Sequence, residues 1–398
     1  MLAYGNWKKW FVSLTWTRKW FVLLLLIRPF VDSFQQLKEI SPFISPLYIV
    51  GALTPLLALW SIPRMRRPAR SRFDQTFGIF SFFIVVGAIL VASYEPGSIK
   101  SIQFLLKLTL PVYLYFYLRR FIRDRSDLDG LMATFLFSAL FVAGILLYEI
   151  TLGPIRVVES RGLERIQGFY GDVMNYSIYI TLSFLCGCYF FFLRNRQVKL
   201  KKRLAALAVI SAFALLGLSR INHAASLAIF AFLMLLFIQF NLKANRSVAL
   251  FIVLISLAAA GIFGRELFVR HISPLVQKDV QVWEGERENR FLLHGRVGRW
   301  QMMWSEFSKQ NLAVQFAGYP LKFEYAYHYV GVGSHNDYLR ILFLSGYLGV
   351  LSYLLVIGGV FKRALRQVLP LRFLCLGALG VLLLYAISTT PTFYAPMM

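Results

Sequence analysis

Residues 131–148 read Leu131-Met132-Ala133-Thr134-Phe135-Leu136-Phe137-Ser138-Ala139-Leu140-Phe141-Val142-Ala143-Gly144-Ile145-Leu146-Leu147-Tyr148. The run holds no charged residue, and the wider segment 128–152 passes the ~20 residues that cross ~30 Å of hydrocarbon. Similar runs recur at 20–37, 43–62, 76–95, 99–118, 173–193, 204–219, 224–242, 247–263, 338–361 and 373–388. Of the 398 residues 58% are hydrophobic, and mean hydropathy is +0.60, too apolar for a water-soluble chain of this size. A β-barrel would show short alternating segments instead. The sequence therefore predicts an all-α polytopic membrane protein with roughly 11–12 transmembrane helices.

A formal net charge of +24 invites a nucleic-acid reading, which the distribution of charge opposes. With the N-terminus inside, the basic clusters fall on one side of the predicted spans. They are Lys8, Lys9, Arg18 and Lys19; Arg64, Arg66, Arg67, Arg70 and Arg72; and Arg119, Arg120, Arg123 and Arg125. The same side holds Arg194, Arg196, Lys199, Lys201, Lys202 and Arg203; Lys243 and Arg246; and Lys362, Arg363, Arg366 and Arg372. These loops contain only Asp74, Asp124, Asp127 and Asp129 as acids. The pattern is the positive-inside rule, so the expected partner is a lipid bilayer and not a nucleic acid.

The spans divide the chain into 1–263, nine helices with short basic loops; 264–337, a large outside loop; and 338–398, the C-terminal helices. A smaller outside loop covers 153–172. An even number of spans would need one more helix after 388, and the sequence ends before supplying it. No small-residue cleavage site follows the first apolar run, which reads as a span and not as a removed signal peptide. No internal repeat is visible, which disfavours a transporter built from two similar halves. In the large loop Trp300, Met303, Trp304 and Phe307 recur at helical spacing between Arg296, Arg299, Glu306 and Lys309. This predicts an amphipathic helix, lying on the outer membrane face or packed on the loop's own core.

Cys186, Cys188 and Cys375 lie inside apolar runs and read as packed thiols. The histidines are His223, His271, His294, His328 and His335; none forms a HExxH pair, so no metal and no cofactor is expected. His335 stands out, because Asn336 and Asp337 beside it can fix an imidazole tautomer or orient a sugar, and imidazole suits general-base work near neutral pH. Arg165, Arg220 and Arg296 fall on the outer side, where basic residues are disfavoured as anchors. Arginine forks bind phosphate oxygens and stabilise a departing pyrophosphate without a metal. Arg28 and Lys107 lie inside spans and either face a polar cavity or snorkel to the headgroups. Asp127-Leu128-Asp129 has the form of a DxD metal motif, yet its place at a helix start reads as capping.

Together these residues resemble the O-antigen polymerase and ligase superfamily of bacterial envelope glycosyltransferases. The resemblance rests on Arg165-Ile166-Gln167-Gly168 with Asn175; Leu218-Ser219-Arg220; Gly295-Arg296 with Trp300; and His335-Asn336-Asp337-Tyr338-Leu339 with Gly346 and Gly349. Arg28-Pro29 with Asp32 resembles the family's first span. Leu344-Ser345-Gly346 departs from it, since many members carry an acid before that glycine.

The resemblance implies a GT-C-like enzyme of the bacterial cytoplasmic (inner) membrane, with its active site on the periplasmic face and its N-terminus cytoplasmic. His335 would be the base, and Arg165, Arg220 and Arg296 would hold the pyrophosphate. Asn336, Asp337, Tyr338, His328, Arg28 and Lys107 would support them or the acceptor. The expected substrate is an undecaprenyl-pyrophosphate-linked oligosaccharide, and a chain-length-regulating co-polymerase is a candidate partner. The expected activity is an O-antigen or exopolysaccharide polymerase. The alternatives are a ligase passing the glycan to lipid A core or to protein, a lipid-linked oligosaccharide flippase, and a scaffold subunit.

Overall fold

The computed structural model describes residues 2–34, 37, 45–66, 68–93, 99–160, 163–194, 199–221, 223–244, 246, 250, 254, 269, 273–286, 288, 292–318, 328–329, 332–333 and 335–388. Its elements are almost all helical. Six described helices are long and apolar enough to cross a membrane: Arg72–Leu90, Arg125–Leu152, Val173–Phe191, Leu200–Ile221, Asp337–Leu365 and Leu369–Ser388. The chain is accordingly an all-α, multi-pass membrane protein. Ten of the eleven expected spans coincide with described helices. Of the eleventh, 247–263, only residues 250 and 254 are described, and the tail 389–398 and His271 lie outside the described residues.

The chain forms two compact units. The first comprises Met1–Pro68, Tyr113–Val253 and Ala364–Gly380. It contains α1 (Leu2–Ser13), α2 (Trp16–Asp32), α3 (Pro46–Ser61), the C-terminal part of α5 (Ile99–Phe121), α6 (Arg125–Leu152), β1 (Val157–Ser160) and β2 (Leu163–Ile166). It also contains α7 (Val173–Gly187), which continues as a π-helical stretch Cys188–Arg194, then α8 (Leu200–Ile221), α9 (Ala224–Ala244) and the first part of α14 (Leu369–Ser388). Helix α7 is the centre: 89% of its spanning window is enclosed, against 28% for α8. Small residues allow this approach. A Cβ on Gly187 would overlap Ile210, and one on Gly217 would overlap Ile180.

Helix α1 was not expected, because twelve residues with Lys8 and Lys9 read as a basic flank. It is a separate helix whose Trp10 is buried against Gly130 of α6, with Trp10 Nε1 donating to Asp127 Oδ1 at 3.0 Å. Arg18 completes this lock, pairing with Asp127 at 2.8 Å, donating to the Phe121 carbonyl and lying over the Phe121 ring. Helix α6 starts where Asp124 caps it, accepting from the Asp127 amide at 2.9 Å. The cap is thus Asp124, and the two later acids serve separate ion pairs. Asp127 takes Arg18, while Asp129 takes Arg194 at 2.7 Å and the Tyr189 hydroxyl at 2.8 Å.

The second unit comprises Ala69–Val112, Leu254–Arg363 and Val381–Met398. It holds α4 (Arg72–Ala92), the first part of α5, α10 (Ser273–Trp283), α11 (Leu292–Ser308), α12 (Leu312–Ala317), β3 (His328–Tyr329), β4 (Val332–Gly333) and most of α13 (Asp337–Leu365). Met303 and Phe307 of α11 are fully buried against Leu342 and Phe343 of α13, with Leu339, Tyr347 and Val350 around them. Met302 and Trp304 are about half exposed. The amphipathic stripe expected at 300–307 is therefore split, its buried edge resting on α13. Helix α13 is broken at Gly346, whose φ of 64° and ψ of −167° leave the helical region. A side chain there would strike the Phe316 and Gln315 carbonyls of α12, so the break seats the end of α12 against α13.

Candidate functional site

In the first unit, the hairpin β1–β2 carries Arg165 on a strand that rests against the helix bearing Arg220. Its strands pair antiparallel, Val158 opposite Arg165, and β2 packs on α8, the helix that ends at Ser219-Arg220-Ile221. The Arg220 guanidinium donates to the main-chain carbonyl of Glu149 at 3.0 Å, at the end of α6. Helix C-termini carry negative partial charge, which helps hold the cation there, and the Glu149 carboxylate also interacts with it electrostatically.

From Glu149 a line of polar and aromatic side chains runs to Arg28. The Tyr176 hydroxyl donates to Glu149 Oε2 at 3.2 Å. The Tyr176 ring lies 5.3 Å from that of Tyr170, which lies 5.8 Å from that of Tyr179. The Tyr179 hydroxyl donates to Asp32 Oδ2 at 2.6 Å, and Arg28 Nε pairs with Asp32 Oδ1 at 2.9 Å. Asp32, Glu149, Tyr170 and Tyr176 are almost wholly buried. Arg28 is therefore answered by a carboxylate inside the protein, which separates it from a snorkelling anchor. Burial pushes the Tyr170 phenol well above its ordinary value, with the nearby Asp32 carboxylate acting in the same direction, so it remains a hydrogen-bond donor at neutral pH.

The segment entering α7 positions these rings. The Gln167 amide donates to the Arg156 carbonyl at 3.0 Å and the Tyr170 amide to the Gln167 carbonyl at 3.2 Å, closing a turn through Gly168. Gly168 has φ of 60° and lies against Ile145 and Tyr176, a place no larger residue takes without strain. Asp172 caps α7, accepting from the Met174 amide at 2.8 Å. Along this turn, Gln167 Oε1, Tyr170 Oη and Asn175 Oδ1 are buried and find no hydrogen-bond partner among the described residues.

In the second unit, His335 lies directly before α13 with φ of 43°, a left-handed conformation uncommon for a non-glycine residue, and its side chain is exposed. Asn336 and Asp337 have local work. Asn336 caps α13, its Oδ1 accepting from the Leu339 amide at 3.1 Å. Asp337, fully buried, pairs with Arg340 at 2.6 Å. These bonds hold the backbone under His335, and Tyr338 directs its hydroxyl to the Leu383 carbonyl at 3.4 Å. Arg296 is half-buried near the start of α11, one residue after Gly295 with φ of 78°. Lys107 is exposed on α5. His328 pairs with Gly333 across β3–β4, and its side chain, like that of His294, lies outside the described residues.

Arg165, Arg220 and Arg28 thus belong to the first unit, and His335, Asn336, Asp337, Tyr338 and Arg296 belong to the second. Glu149, Tyr170, Tyr176 and Tyr179 were missed in the sequence, where Tyr170 sits in the 153–172 loop and the others in apolar runs; an acid inside such a run, Glu149, was the available signal. His223 is structural: its Nδ1 lies 2.8 Å from Ser226 Oγ in the first turn of α9. Among the described residues no His, Cys, Asp and Glu cluster could hold a metal. Compared with protein-family models, curated proteins and solved structures, the chain finds no match.

Proposed function

We propose that the protein is a metal-independent, inverting glycosyltransferase of the bacterial inner membrane that polymerises O-antigen or exopolysaccharide repeat units. The observation that carries this is the packing of the Arg165 strand on the Arg220 helix, beside a turn with buried polar atoms still lacking partners. Guanidinium groups from β2 and from the last turn of α8, in an apolar protein, suit a lipid-borne anion through their bidentate forks, and the resemblance points to undecaprenyl pyrophosphate as that anion.

In the proposed reaction, His335 accepts the proton of an acceptor sugar hydroxyl. That oxygen attacks the anomeric carbon of the donor, the bond from this carbon to the pyrophosphate oxygen breaks with inversion, and undecaprenyl pyrophosphate leaves with the bonding pair. Arg165, Arg220 and Arg296 stabilise the charge that develops on the departing group. The exposure of His335, its lifted backbone and the capped helix behind it favour a proton acceptor open to a large substrate. Asn336 and Asp337 support His335 through the helix start and are not assigned contacts with sugar. GT-C-like architecture, the periplasmic position of residues 264–337, a cytoplasmic N-terminus and a chain-length-regulating partner belong to the same proposal.

The test is the purified protein in nanodiscs with undecaprenyl-pyrophosphate-linked repeat units as sole substrate. A ladder of lipid-linked oligomers supports polymerisation. Product only after addition of lipid A core would replace polymerase by ligase, and no product from folded protein would remove the enzyme assignment.

A further inference from the structure

The turn between β2 and α7 carries an expense that folding alone does not explain. Gln167 Oε1, Tyr170 Oη and Asn175 Oδ1 are buried, and no described residue satisfies them. A buried polar atom without a partner destabilises the fold, so three within nine residues call for a partner that arrives later. Two are carbonyl oxygens, which accept, and one is a phenol held in its protonated state, which donates and accepts. A phosphate has only acceptor oxygens and cannot satisfy the carbonyls. A ligand rich in hydroxyl groups satisfies all three.

Charge lies next to this turn. Gln167 follows Arg165 by two residues, and the Tyr170 ring stacks near Tyr176, whose hydroxyl reaches the Glu149 carboxylate while Arg220 donates to the Glu149 carbonyl. The geometry points to a sugar-binding subsite formed by Gln167, Tyr170 and Asn175, taking the first sugar of a sugar-pyrophosphate whose anion is held by Arg165 and Arg220. This rests on the proposed pyrophosphate-binding role of the arginines and adds the recognition of the sugar. The three side chains are binding residues, and proton transfer stays with His335.

The experiment compares binding of two lipids to the full-length protein in nanodiscs: undecaprenyl pyrophosphate, and the same lipid carrying one hexose. Wild type should prefer the glycosylated lipid. Tyr170→Phe keeps the ring and removes only the hydroxyl, and Gln167→Met keeps the shape and removes the amide. Each should cut the preference about tenfold, leave affinity for the bare lipid unchanged, and leave thermal stability equal or higher, since an unsatisfied atom has gone. Tyr117→Phe is the control. It removes another buried, unpartnered hydroxyl of the same unit, packed between Phe21 and Phe121, and should leave the preference intact. A preference unchanged in Tyr170→Phe and Gln167→Met, with both lipids still bound, would overturn the subsite and spare the pyrophosphate reading. Failure of wild type to bind either lipid would remove both.

Discussion

The Tyr179 hydroxyl donates to Asp32 Oδ2 at 2.6 Å, joining α7 to α2 across 147 positions of chain. Asp32 is 1% exposed and takes Arg28 on its other oxygen. Removing the hydroxyl leaves the carboxylate one strong partner, whereas removing the carboxylate leaves Arg28 facing an apolar interior. Tyr179→Phe should cost about 1–2 kcal/mol, and Asp32→Ala about 3–5 kcal/mol. Unfolding of the purified protein in a detergent series checks this. A larger loss for Tyr179→Phe than for Asp32→Ala would contradict the pairing.

The Arg18–Asp127 pair locks the opposite end of α2, joining it to α6, and both side chains are buried. Arg18→Ala strands Asp127 with Trp10 and Arg123 as remaining donors, and should cost about 3 kcal/mol. Because this lock lies at the start of α2 and α6, far along α6 from Glu149, affinity for undecaprenyl pyrophosphate should stay as in wild type. A loss of affinity in folded Arg18→Ala would place the lipid anion at the wrong end of the unit.

Gly346 and Gly358 lie in one helix and make opposite predictions. Gly346→Ala puts a side chain at φ of 64° and against the Phe316 carbonyl, and should destabilise by more than about 1 kcal/mol. Gly358 is helical with open space around its Cβ position, so Gly358→Ala should be neutral or stabilising by up to about 1 kcal/mol. The paired thermal melts read the difference, and equal effects would argue against the break in α13.

Helix α8 separates two test positions for the proposed orientation. Lys201 stands in its first turn and Arg220 in its last, while Glu164 lies in β2 of the hairpin that packs on this helix. The helix has 22 residues, so it spans about 33 Å. In a background lacking the three native cysteines, an impermeant maleimide added outside intact cells should label Glu164→Cys and not Lys201→Cys. The reverse pattern would invert the topology.

Long apolar runs were legible because hydrocarbon thickness dictates their length, and ten expected spans meet described helices within a few residues. The short α1 was not, since its stability comes from Trp10 entering the notch over Gly130, a contact that no local pattern announces. Arg165 and Arg220 could be singled out by their disfavoured side. The line from Arg220 to Arg28 through Glu149, three tyrosines and Asp32 could not, because those partners lie far apart in sequence and no local pattern joins them. Asn336 and Asp337 show the converse: side by side with a histidine they suggested chemistry, and the structure gives them a cap and an ion pair.

The central claim is that His335 is the base of a glycosyl transfer from a lipid pyrophosphate. The most direct measurement sets wild type beside His335→Ala in nanodiscs with undecaprenyl-pyrophosphate-linked repeat units, resolving products by size after both proteins are shown to be folded. The account predicts a ladder from wild type, at least a hundredfold slower product formation from His335→Ala as expected for loss of a general base, and unchanged binding of the donor lipid. A full ladder from His335→Ala would contradict it.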